Sequence, residues 1–205
     1  MIRCYRILTN SKYRLIVNFL IPIGIGILAL IGEHFLGMLM GIFGFVIIAC
    51  AETVGDYFGF GGICKKGALG MELLKTAHDG TKYLGKAVLM DILVRPFRIA
   101  IYVFIAGIPY MQKGGSINVI VLAILILACL SVVSLNVLRY SDVLQINYFV
   151  AMFFSMLATV GLVLAHEFVS KPIVLLIVLA VALCVAIALT YYHMEMRIDT
   201  SFRDE

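Results

Sequence analysis

The sequence predicts an all-α integral membrane protein with six transmembrane helices, and three observations carry that prediction. Of the 205 residues, 63% are hydrophobic and only 14% are charged, against about 45–50% and about 25% in soluble domains. Mean hydropathy is +1.08, too high for a fold of this size to cover its surface with polar groups. The apolar residues also fall in runs of helical length, and no short segment alternates in polarity as a barrel strand does. Such runs exclude disorder and a small disulfide-stapled module. With no Trp in the chain, the 10 Tyr are left as much of the aromatic interface anchoring.

Residues 1–14 mix Ile2, Tyr5, Ile7, Leu8 and Tyr13 with Arg3, Arg6, Lys12 and Arg14. That pattern suits a helix lying in the inner membrane interface. No small-residue cleavage site follows, so a removable signal peptide is not expected. A helix crosses the hydrocarbon core with roughly 20 mainly apolar residues. Residues 15–60 then hold two spans, at 15–32 and from 35 to about 51 or beyond, and 61–82 form a cytoplasmic segment. Residues 83–192 hold four more. The third has a short apolar core at 99–111, which a helix starting near 83 carries across. The others lie at 117–138, 143–165 and 172–191, and 193–205 form a tail. The whole chain, 1–205, reads as a single transmembrane domain.

Orientation follows from the cations, which accumulate on cytoplasmic segments. All but two of the 16 Lys and Arg fall on one side; the exceptions are Lys113 and Lys171. Both termini and the 61–82 segment are therefore expected in the cytoplasm. The net charge of +4 reports this topology and contact with anionic lipid, and no nucleic-acid partner is expected. The five cysteines, at 4, 50, 64, 129 and 184, all avoid the outer turns. Neither a structural disulfide nor a zinc site is expected.

Several groups could carry chemistry. Glu52 and Asp56 are spaced i, i+4 at the inner end of the second span, so they face one way. Acids so placed mark a gate or pathway, or sit in interfacial water. Asp91, Arg95 and Arg98 form a line on the third helix, with Asp91 and Arg95 an expected inner-interface pair and Arg95-Pro96-Phe97-Arg98 an expected bend. Gly37/Gly41 and Gly55/Gly59 allow close helix approach. Gly80 to Lys86 matches the start of a phosphate-binding loop, but Ala87 stands where a magnesium-holding hydroxyl belongs and no strand precedes it. Cys64 and His78 share the cytoplasmic segment, yet no third residue is placed to orient them as a catalytic pair.

The most informative stretch lies at 65–86. Leu69, Leu73 and Ala77 recur at helical spacing, while Glu72, Lys75 and Asp79 occupy other faces, which predicts a short amphipathic helix on the cytoplasmic side. The run Gly70-Met71-Glu72-Leu73-Leu74-Lys75-Thr76, followed by Gly85-Lys86, resembles the segment between spans two and three in permease subunits of ABC type-2 transporters. It departs from that pattern in having Ala77-His78 where a Pro often follows the Thr. The resemblance implies that Gly70, Glu72, Leu73, Leu74, Lys75 and Thr76 belong to a coupling helix that docks on a separate ABC ATPase. It also implies a second permease subunit, identical or homologous, and alternating access driven by ATP.

The expected function is thus the membrane subunit of an exporter in a bacterial plasma membrane, itself non-hydrolytic and binding no cofactor. ATP and magnesium would sit on the partner. Abundant Met and Phe suit an amphipathic cargo such as a small antimicrobial peptide. The alternatives are a membrane-embedded peptidase acting through Cys64 and His78, and an ion-coupled carrier using Glu52 and Asp56.

Overall fold

A computed structural model describes residues 1–9, 11–36, 44, 47, 48, 77–138, 149, 153 and 172–203. Every regular element among them is helical. The first, α1 (Ile2–Leu8), stops where Thr9 turns to extended backbone, its hydroxyl and its N–H both donating to the Tyr5 carbonyl. A continuous helical run follows. It comprises α2 (Ser11–Leu15), a π-helical turn (Ile16–Leu20) and α3 (Ile21–Leu36). Pro22 explains the π turn: it has no N–H for the Asn18 carbonyl and its ring crowds that oxygen. The ladder widens instead, and Ile21 donates to Ile16. The break in the chain therefore falls at Thr9, and Lys12 and Arg14 belong to the first long helix rather than to a separate interfacial one.

Asp79 adopts a left-handed conformation (φ 63°) and turns the chain into α4 (Gly80–Ala106), which runs unbroken through Pro96. Helix from Gly80 onward leaves no loop around Gly80–Lys86 to cradle a phosphate. Gly107 ends α4, and the short α5 (Ile108–Gln112) follows with Pro109 in its first turn. Gly114 (φ 84°) makes the return, and the Ser116 hydroxyl accepts from the Asn118 N–H at 3.2 Å to cap α6 (Ile117–Leu138). The last element is α7 (Pro172–Arg203).

Within α7, Ile173–Met196 is long and apolar enough to cross a bilayer, with mean hydropathy 3.2, and only 6% of that stretch is buried. Among the described residues it is the one helix that qualifies. Ile16–Gly32 and Ile117–Val133 are apolar but shorter, and α4 interrupts its apolar residues with Asp91, Arg95 and Arg98. The expected spans at 35–51 and 143–165 lie almost wholly outside the described residues. The tail expected at 193–205 is helical to Arg203, a continuation of the sixth expected span.

Side chains pack into two apolar clusters. One joins Tyr5 of α1 to Leu84, Ala87, Val88 and Ile92 of α4, with Val132 of α6 and Met194 of α7. The other joins Ile25 and Ala29 of α3 to Ile99, Tyr102 and Val103 of α4, with Ile120 and Leu127 of α6. The Thr190 hydroxyl donates to the Val132 carbonyl at 3.4 Å, and the Cys129 thiol to the Leu179 carbonyl at 3.8 Å, holding α6 to α7.

Two glycines give a contrast that measures this packing. A Cβ on Gly107 would lie 2.9 Å from both the Ile120 Cδ1 and the Val103 carbonyl oxygen, and the second cannot move without distorting α4. Gly107→Ala is expected to cost about 1–3 kcal/mol by overpacking. Gly24 has nothing within 4 Å of such a Cβ, so Gly24→Ala should gain roughly 0.5–1 kcal/mol from helix propensity. Unfolding of both variants in the same detergent checks the pair.

Candidate functional site

Asp91, Arg95 and Arg98 occupy one face of α4 at spacings i, i+4 and i+7. That face points inward: the three residues are 1%, 0% and 2% exposed. Phe97, between the two arginines, points out at 54%. Helix geometry explains the contacts. Side chains lean toward the helix N-terminus, so both arginines reach back toward Asp91. The Arg98 Nη2 lies 3.5 Å from Asp91 Oδ1, and the Arg95 Nε lies 4.0 Å from Oδ2. The expected Asp91–Arg95 pair is present, but Arg98 is the nearer of the two arginines. The group is enclosed by protein.

The N-terminal helix closes over this group. Tyr5 is 4% exposed, and Arg14, Asn18, Asp91 and Arg98 all lie near enough to act on its hydroxyl. Burial raises the pKa of that hydroxyl above its ordinary value and the Asp91 carboxylate raises it further, while Asn18, Arg98 and Arg14 oppose the shift. The phenol therefore stays neutral and can act only as a dipole. Tyr5 and Asn18 were not legible as site residues. Tyr5 reads as an interface anchor, and Asn18 is one amide in an apolar run.

A second polar group stands at the start of α4, in solvent. Asp79 meets Lys82 at 2.8 Å and His78 at 3.3 Å. A hydrogen bond from Lys82 and its charge hold the Asp79 carboxyl below its usual range, with His78 adding to the effect, and Asp79 raises Lys82 in turn. An exposed pair like this contributes little to stability. The His78 side chain is 97% exposed, an open setting for a general base, and Cys64 lies outside the described residues. So do Glu52, Asp56, Gly70, Glu72, Leu73, Leu74, Lys75 and Thr76, the expected gate and coupling residues.

Among the described residues no cluster of His, Cys, Asp and Glu is arranged to hold a metal ion. Cys4, Cys129 and Cys184 are free thiols. What the buried group can do is electrostatic: it places an ionic layer inside an apolar bundle, next to Tyr5 of α1. No family model matches the chain, and no curated protein or solved structure is significantly similar to it.

Proposed function

We propose that this chain is a multi-pass membrane subunit of an ATP-driven exporter, working with a separate ABC ATPase and a second permease subunit. The observation that carries the membrane part is an inversion of polarity. Asp91, Arg95 and Arg98 are enclosed, while Leu20, Leu28, Ile31, Ile173, Val174, Ile177 and Val181 are each more than half exposed. In water such an arrangement loses on both counts: buried charge is costly and a continuous apolar exterior aggregates. In a bilayer both become favourable, because lipid covers the apolar faces and ionisable groups turn inward. The transport part rests on the likeness of the segment around Gly70–Thr76 to a coupling helix. The exposed Asp79–Lys82 pair just after it supports a polar edge facing the cytoplasm. An amphipathic cargo, such as a small peptide, fits a chain with so few charged residues.

The test is co-purification from native membranes. Leu73→Asp should leave the chain inserted, because this segment does not span, yet remove an ATPase that accompanies the native chain. An ATPase equally abundant with native and variant chains, or absent from both, would overturn the reading. Its absence from both would favour the peptidase alternative.

A further inference from the structure

We infer that Pro96 and the π-helical turn form one hinge between two packing bodies, and that the Asp91–Arg98 ion pair is the clasp across it. The two apolar clusters divide α4 at this place. Leu84, Ala87, Val88 and Ile92 pack with α1, whereas Ile99, Tyr102 and Val103 pack with α3. Between Ile92 and Ile99 the inward face of α4 carries only the charged residues.

Two of the three helical routes between the bodies are weakened at the same level; the third, α6, runs unbroken and carries Val132 in one cluster and Ile120 and Leu127 in the other. Pro96 cannot donate to the Ile92 carbonyl, which leaves α4 one bond short where the clusters part. On the other strand of the connection, the π turn between α1 and α3 is also an interrupted ladder. The two irregularities touch, because Phe19 of the π turn meets Phe97 edge-on with ring centroids 6.3 Å apart. Helix joints in proteins are found at proline and at π turns.

The ion pair bridges this joint. Asp91 lies before Pro96 and Arg98 after it, and their 3.5 Å contact can persist only while the two halves of α4 keep their present angle. A short Asp–Arg link within one half would constrain nothing. This inference stands apart from the proposed transport function, since its test needs neither ATP nor an ATPase.

The experiment uses the purified full chain in lipid nanodiscs, with the native cysteines replaced and spin labels at 83 and 31. Tyr83 and Ile31 are both exposed, one on each body. Asp91→Asn, which keeps the shape and removes the charge, should roughly double the width of the distance distribution by populating a second angle. Pro96→Ala restores the missing donor, keeps the clasp and should narrow the distribution below that of the native chain. Because Pro96→Ala favours helix, it decides the matter even where Asp91→Asn lowers the yield of folded protein. A width unchanged by Pro96→Ala, or a folded Asp91→Asn chain with the native distribution, would overturn the hinge.

Discussion

Replacing Asp91 by Ala is expected to lower the stability of the folded chain by about 3–5 kcal/mol, the largest loss of any single substitution considered. The reason is not the strength of the ion pair. A buried pair contributes little net stability, since desolvation of the two ions offsets their attraction. Removing the carboxylate is different, because Arg95 and Arg98, at 0% and 2% exposure, lose an anion that both face while remaining enclosed. Neither can withdraw its charge, as guanidinium stays protonated at any accessible pH. Arg98→Ala alone should cost less, since Asp91 then keeps Arg95 at 4.0 Å. The double variant Asp91→Leu/Arg98→Leu should recover part of the loss of Asp91→Ala. Denaturant unfolding in a fixed detergent, with all three variants compared, checks the order. A loss for Asp91→Ala within the range of surface substitutions would mean that water or lipid headgroups reach the cluster.

The sequence revealed some of this arrangement and hid the rest for identifiable reasons. The start of α6 coincides with the expected 117, because a capping Ser116 precedes its apolar run. The end of α7 was missed, because hydropathy falls after Tyr191 whereas helix propensity does not. Met194, Glu195, Met196 and Arg197 are all strong helix formers, and neither Gly nor Pro follows to stop them. Asp91 and Arg95 were recognisable as partners by their i, i+4 spacing. Arg98 was the better partner, and its signal was present too: i and i+7 share a face, and Arg is long enough to reach back across two turns. The burial of all three could not be read locally, because it depends on which neighbours close over α4. Tyr5 is the extreme case. Nothing in a mixed apolar and basic N-terminus says that one ring will enter the core while Ile2, Arg3 and Arg6 remain exposed.

Tyr5→Ala is the complementary prediction, and its effect should be local. The helix α1 has seven residues, far below the roughly 12–15 at which an isolated helix becomes even marginally stable in water. It therefore persists only while docked, and among its described side chains Tyr5 is the one in the buried core, with Cys4 partly buried beside it. Truncating a large aromatic in a core typically costs about 3–5 kcal/mol. Among the described side chains that figure exceeds what Cys4 and the Thr9 cap supply, so α1 should detach and lose its helical hydrogen bonds. The rest of the bundle retains Leu84, Val88, Ile92, Val132 and Met194 in contact with one another, so global unfolding should shift much less. Hydrogen exchange resolves the two cases. Amides of residues 5–9, protected in the native chain by bonds such as Tyr5 to Met1 and Thr9 to Tyr5, should exchange freely in the variant, while those of 99–106 stay protected. Unchanged protection at 5–9 would show that α1 is held by the membrane surface rather than by Tyr5. With α1 gone, the Asp91–Arg98 pair would be open to water from that side, and the clasp would weaken as its surroundings gain dielectric screening. Tyr5→Ala combined with Asp91→Asn should therefore destabilise the chain by less than the sum of the two, because each removes part of what the other depends on.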